Sequence, residues 1–298
     1  MSALLSQNTT VMIQGMTGKE GQRALNWMLA AGTKVAAGVT PGKGGQEVEG
    51  VPVYNSVAEA LNKHPQINVA SLYVPPKFVL GAATESLEAD IPLIHIFAEG
   101  VPTKDTAILL EKARGKTSRI VGPSSIGLIA PGKAKLGSIG GKTTSQFLPA
   151  TSKKPGVALL SKSGGMSNEM ATFLTQAKIP QSLVVGIGGD RFIGTTYADL
   201  LPLLDQDPET NTIVIIGEIG GSFEEQFAET MTKIKTKKKV VAFISGIFAE
   251  TLPQGVSFGH AGAIVSKTEG TRQGKIAALK KAGALIAESP EQIIDLLQ

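Results

Sequence analysis

Short apolar runs, many of them β-branched, alternate with amphipathic stretches along the whole chain. In the first half the apolar runs cover residues 9–14, 34–39, 68–74, 92–97 and 119–121, and each predicts a strand. Helical spacing falls between them, over residues 20–31, 57–63 and 104–114. Buried-looking strands separated by helices predict a parallel, doubly wound sheet. The rhythm breaks at residues 131–155, where Gly132, Gly137, Gly140, Gly141 and Pro149 stand among lysines, serines and threonines. That composition predicts a linker. A second alternating series follows, with strands predicted over 156–160, 182–187, 212–216, 240–244 and 283–287. The pattern therefore predicts two α/β domains in series, residues 1–130 and 156–298, joined by 131–155.

Composition narrows the chemistry. At 298 residues with 42% hydrophobic and 18% charged residues, the chain holds enough apolar material for two sizeable cores. No apolar run approaches the roughly 20 residues that span a bilayer. Residues 1–10 lack the basic-then-apolar profile of a secretory signal, so a cytoplasmic location is expected. The chain has no cysteine, which removes disulfides, thiolate catalysis and Cys-ligated zinc. The net charge of +4 includes a run at Lys233, Lys235, Lys237, Lys238 and Lys239. It falls between a helical pattern and a strand, and a solvated helix end is its expected setting. No aromatic residue interleaves with these lysines, so base stacking has no support. Mild basicity suits an anionic small molecule.

The first strand runs into Gly15-Met16-Thr17-Gly18-Lys19-Glu20-Gly21, which opens the first helix. Glycines there permit a tight turn and close approach of a phosphate, while the helix start offers N–H groups and a positive dipole end. The spacing is GxxGxxG, not the dinucleotide GxGxxG. A NAD-binding domain ends its second strand on a carboxylate. Here that strand runs into Val39-Thr40-Pro41-Gly42-Lys43-Gly44-Gly45, where a lysine in a glycine-rich turn suits a further phosphate. A multiply phosphorylated nucleotide such as coenzyme A fits better than NAD; two ordinary glycine-rich connections remain the plain alternative.

In the second half, strands end in Ser161-Lys162-Ser163-Gly164-Gly165, Gly186-Ile187-Gly188-Gly189-Asp190, Gly217-Glu218-Ile219-Gly220-Gly221 and Ser245-Gly246. A parallel sheet gathers such turns at one edge, where ligands bind. Ser163-Gly164-Gly165 before an apolar helix is a second anion-binding helix start. Glu218 ends an apolar strand, and a partly buried carboxylate there can orient an imidazole; a capping or ion-paired glutamate is the alternative. Three histidines are present. His260, in Phe258-Gly259-His260-Ala261-Gly262-Ala263, has no bulky neighbours, so a phosphoryl group can approach it; a turn histidine satisfied by backbone is the alternative. His64, before Pro65, is expected in an exposed turn, and His95, inside an apolar strand, as a satisfied core residue. No His, Asp and Glu set has metal-ligand spacing.

Taken in order, GMTGKEG, GVTPGKGG, AEGVP, GPSSIG, SKSGG, GIGGD, GEIGG and FGHAGAI resemble the α subunit of succinyl-CoA synthetase across almost the whole chain. The resemblance implies an N-terminal Rossmann-like domain that binds coenzyme A and a flavodoxin-like second domain. It implies that His260 is a phosphohistidine with Glu218 as its orienting carboxylate. Coenzyme A contacts are implied for Thr17, Gly18, Lys19, Glu20, Lys43, Phe97, Ala98 and Glu99, and phosphoryl or acid contacts for Ser163, Gly164, Gly165 and Asn168. It further implies an ATP-grasp β subunit holding ATP or GTP with magnesium, and this chain carries no GxxxxGK[ST] loop of its own.

Some positions depart from that family and resemble ATP-citrate lyase and citryl-CoA synthetase instead. Gly165-Met166 stands for threonine-leucine, Asn168 for a tyrosine, and Ser124-Ser125-Ile126-Gly127 for Asn-Cys-Pro-Gly; GGD is followed by Arg191-Phe192 and the histidine is led by Phe258. A smaller, more polar lining would suit a larger acid. Succinate and citrate are both expected candidates, with malate behind. A coenzyme A-sensing module without catalysis, and a nicotinamide-dependent oxidoreductase, are the competing classes.

Overall fold

A computed structural model describes residues 4–247 and 270–298. They fall into two compact units, one of residues 4–144 with 192–194, the other of 145–191 with 195–247 and 270–298.

The first unit contains β1 (Thr10–Gln14), α1 (Lys19–Ala30), β2 (Lys34–Val39), β3 (Glu47–Val48), β4 (Val51–Tyr54), α2 (Val57–Lys63), β5 (Val69–Leu72), α3 (Val79–Glu88), β6 (Leu93–Ile96), α4 (Thr103–Ala113), β7 (Arg119–Val121), β8 (Gly127–Ala130) and β9 (Ala134–Gly137). Its sheet has the order β3-β4-β2-β1-β5-β6-β7. From β4 to β7 the pairing is parallel throughout; only the two-residue β3 runs antiparallel. β1, β5 and β6 are buried at every position, as strands covered on both faces must be. Helix α1 places Gly21, Ala24, Leu25 and Met28 on its buried face, the i, i+3, i+4, i+7 spacing of a core-facing stripe. Burying Leu25 and Met28 contributes about 2 kcal/mol each.

Strand β4 and helix α3 escaped the hydrophobic pattern. Val51-Pro52-Val53-Tyr54 is four residues long with a proline in it, and it pairs through only two positions of β2. The stretch expected as a linker contains β9, which folds back on β8 as an antiparallel hairpin from Gly127↔Gly137 to Ala130↔Ala134. Its glycines and lysines mark the turn of that hairpin as much as a connection, and the division between units falls after residue 144.

The second unit contains β10 (Gly156–Ser161), α5 (Gly164–Gln176), β11 (Gln181–Gly186), α6 (Tyr197–Asp205), β12 (Thr210–Gly217), α7 (Phe223–Ile234), β13 (Lys239–Ile244), α8 (Arg272–Lys281), β14 (Leu285–Ala287) and α9 (Pro290–Leu297). These strands lie in the order β14-β13-β12-β10-β11, all parallel. Counted from the first of them, the order is 2-1-3-4-5, that of flavodoxin, and its switch point lies between β10 and β12. The lysine run after α7 is not wholly solvated: Lys238 turns its ammonium onto the carbonyls of Asp207 (3.0 Å) and Thr210.

Candidate functional site

The first sheet brings its sequence-marked residues to one edge, the carboxyl ends of β1, β2 and β6. Three glycines explain the loop after β1. Gly15 has φ +79°, and a β-carbon there would lie 2.9 Å from the Tyr73 carbonyl oxygen. Gly18 is the N-cap of α1 and brings no side chain to occupy the helix's first amides, which stay available to an anion. A β-carbon on Gly21 would lie 2.3 Å from the Gly15 carbonyl, so only glycine lets the helix sit on its own loop. Thr17 donates to Thr40 across to the next loop (3.3 Å), and Glu20 pairs with Arg23 along the helix. Lys19 and Lys43 are exposed.

Asn55, which the sequence did not mark, builds the Lys43 loop. Its Oδ1 accepts from the amides of Gly42 and Gly44, each at 3.0 Å, and so fixes the turn that presents Lys43. Tyr73 is the second residue missed. Its carbonyl touches Gly15, and its ring lies 5.3 Å from Phe97 and 6.2 Å from His95. Ala98 is buried and Glu99 exposed; the Ala98 carbonyl accepts from Ser124 N–H at 2.8 Å. Beneath this edge His95 is fully buried, with Nδ1 2.8 Å from the Ser71 hydroxyl and Nε2 3.1 Å from the Ser125 carbonyl. Burial pulls its pKa down to about 4, so the ring is neutral, and burial pushes the Tyr73 phenol up. His64 differs from the exposed turn expected: it is half-buried at the end of α2, with Nε2 2.9 Å from the Tyr54 hydroxyl.

The second sheet gathers a different set at its switch point. Ser163 caps α5, accepting from Met166 N–H at 3.4 Å, and Gly164 and Gly165 form the helix start. Asn168 lies one turn further along α5, half-buried. Lys162, between β10 and this cap, donates to Glu218 Oε1 at 3.3 Å, with the two side chains 2% and 13% exposed. The Glu218 carboxylate is thus partly buried and ion-paired, the alternative left open by its sequence context. The Lys162 ammonium also lies 4.9 Å from the Phe223 ring centre.

Three further residues set this geometry, and none was marked in the sequence. Tyr197 is fully buried; its hydroxyl donates to the Ile216 carbonyl at 2.7 Å, holding the end of β12. Burial, with Glu224 and Glu218 nearby, pushes that phenol upward. Glu224 accepts the Glu218 amide at 3.2 Å and pairs with Lys275, both side chains being 0% exposed. Lys275 also reaches Glu225 at 3.4 Å. Glu224 and Lys275 were present only as charges inside amphipathic helices, where a solvated position is the default expectation.

His260 lies outside the described residues. The chain on either side is described. Gly246 packs on Ile219, and the Gly270 carbonyl accepts from Gly220 N–H at 2.8 Å, two residues past Glu218. Among the described residues no group of His, Asp and Glu could hold a metal ion, and no helix is long and apolar enough to cross a membrane.

Two family models match the chain: a CoA binding domain over residues 6–100 and a CoA-ligase over residues 160–285. Among curated proteins, the ADP-forming sulfoacetate-CoA ligase subunit of an Acholeplasma species is 40% identical over 298 residues, covering 100% of this chain and 98% of that protein. The ADP-forming succinate–CoA ligase subunit alpha 1 of Archaeoglobus fulgidus is 41% identical over 290 residues, 97% and 94% of the two. Among solved structures, ATP citrate lyase from Methanothrix soehngenii, in complex with citrate and coenzyme A, superposes with a TM-score of 0.87 at 27% identity. The match covers 99% of this chain and 51% of that one, so this chain spans about half of the citrate enzyme.

Proposed function

From the premise that this chain belongs to the α-subunit family of ADP-forming acid–CoA ligases, we propose that it divides one ligation between two sheet edges. The edge of the first sheet, within residues 1–130, binds coenzyme A through Thr17, Gly18, Lys19, Glu20, Lys43, Phe97, Ala98 and Glu99. The helix-start amides that follow Gly18, without a side-chain cap, and the exposed Lys43 on its Asn55-built turn suit phosphate and pyrophosphate oxygens. The edge of the second, within residues 156–298, carries the phosphoryl group. The single observation that supports this most is Glu218: a partly buried carboxylate at a topological switch point, beside the helix start at Ser163-Gly164-Gly165.

In the proposed reaction His260 takes the terminal phosphoryl group of a nucleoside triphosphate, releasing the diphosphate. Glu218 accepts one imidazole N–H, so that the other nitrogen presents its lone pair. The phosphoryl group passes from His260 to a carboxylate, giving an acyl phosphate, with the amides of Ser163, Gly164 and Gly165 accommodating its charge. The thiolate of coenzyme A then attacks the acyl carbon, and inorganic phosphate leaves. Each transfer replaces one difficult displacement with an easier one. An ATP-grasp β subunit holding ATP or GTP with magnesium is the partner this requires, and we place the assembly in the cytoplasm.

Succinate is the acid we propose. Sulfoacetate, named in equally similar relatives, shares its short chain with an anionic group at each end, and Asn168 is the lining residue to which we assign recognition of the far end. Citrate is the second reading, supported by the structural likeness to ATP citrate lyase. The test uses the complex with its β subunit, loaded with ATP and magnesium and followed by intact mass. The phosphorylated chain is then offered coenzyme A with succinate, sulfoacetate, citrate or malate. Fastest discharge by succinate is expected; faster discharge by any other acid replaces that assignment.

A further inference from the structure

The Glu218 carboxylate does not hold its position alone, and what holds it is chemically unusual. A lysine side chain costs free energy to bury, and a buried ion pair is on average no better for stability than apolar residues of the same size. Lys162 is nonetheless 2% exposed, its ammonium donating to Glu218 Oε1 and resting against the face of Phe223. On the carboxylate side the Tyr197 hydroxyl holds Ile216, two residues before Glu218. The Glu218 main chain is fixed in turn by the Glu224 carboxylate. The carboxylate end of the pair therefore has a set main chain, and the ammonium has a set place between the carboxylate and an aromatic ring.

From this geometry we infer that Lys162 is a positioning residue for Glu218, resting on the role proposed for Glu218 above: its cation sets the rotation of the carboxylate and so the direction its remaining acceptor sites face. An ionised carboxylate has about four acceptor sites, so engaging Oε1 with a cation fixes its plane without exhausting it. Phe223 bars the ammonium from swinging to the other side.

The test measures phosphoryl uptake from ATP by intact mass on the complex, in wild type, Lys162→Met, Lys162→Arg, Glu218→Gln and the Lys162→Met/Glu218→Gln double variant. Coenzyme A affinity, read on the same samples, reports that the first unit is intact. Lys162→Met is expected to slow uptake about 10- to 100-fold, in the range of lost outer-sphere orienting partners, with coenzyme A affinity unchanged. Lys162→Arg keeps a cation that can stack on Phe223 and is expected to recover most of the rate. Once Glu218 is glutamine, Lys162→Met should change the rate less than twofold, because the residue acts only through the carboxylate. Normal uptake in a folded Lys162→Met protein, with Glu218→Gln slow, overturns the inference and leaves the role of Glu218 standing. Normal uptake in Glu218→Gln itself removes that role and this inference with it. If Lys162→Met alone does not fold, the double variant, which carries neither charge, is compared with Glu218→Gln: an equal rate supports the inference and a tenfold further loss overturns it.

Discussion

The two sheet edges look alike in sequence and differ in what lies beneath them. Each has a strand, a small-residue turn and a helix start at the first strand of a parallel sheet. Under the first edge the buried polar groups are uncharged: neutral His95, the Ser71 hydroxyl, the Tyr73 phenol and the Ser125 carbonyl. Its cations Lys19 and Lys43 stand outside in solvent, as does Glu99. Under the second edge the charges are inside: Lys162 against Glu218, and Lys275 against Glu224. A neutral foundation with exposed cations suits recognition of a large anionic ligand that comes and goes. A foundation of buried ion pairs fixes carboxylate positions closely, as group transfer demands.

The largest effect should come from breaking the deepest pair. Lys275→Met leaves Glu224 buried without its cation and should cost about 3–5 kcal/mol in urea unfolding. A loss under 1 kcal/mol would mean that this pair does not support the second edge. The first edge should respond to acid instead. The His95 pKa is lowered to about 4 from the ordinary value of 6.5, so the neutral ring's contribution is complete above pH 6.5 and fades as pH falls toward 4. By pH 4.5 the loss is about 2–3 kcal/mol, since each pKa unit corresponds to about 1.4 kcal/mol. His95→Gln should remove that part of the pH dependence, and an unchanged slope in this variant contradicts the assignment.

Functional effects come next in size. Glu218→Gln should slow phosphoryl uptake about 100-fold with folding unchanged, the scale of a lost acid–base partner. Lys43→Glu should weaken coenzyme A about 10- to 30-fold, by losing a phosphate contact and adding repulsion, and should leave phosphoryl uptake within about twofold. Calorimetric titration with coenzyme A separates these two results.

The architecture was legible because buried parallel strands are written as continuous apolar runs. β1, β2, β6, β10 and β12 each fall within a residue or two of the pattern. β4 and the β8–β9 hairpin were not, since Pro52 interrupts β4 while Gly127, Lys135 and Gly137 break the apolar runs of β8 and β9. The glycine-rich turn after β1 was legible for a steric reason, as Gly15 and Gly21 admit no side chain. Lys162 lay within a marked motif without being singled out. Asn55, Tyr73, Tyr197, Glu224 and Lys275 were hidden, because each acts through a partner 11 to 58 residues away that only the fold supplies. A lysine in an amphipathic helix carries no mark of being buried.

The division of labour is tested most directly by quenched-flow intact mass on the assembled complex, comparing phosphoryl uptake from ATP in Lys43→Glu and Glu218→Gln side by side. Uptake near the wild-type rate in Lys43→Glu, and about 100-fold slower in Glu218→Gln, is the predicted result. Equal slowing in both variants, with both folded, would contradict it and leave one site in place of two.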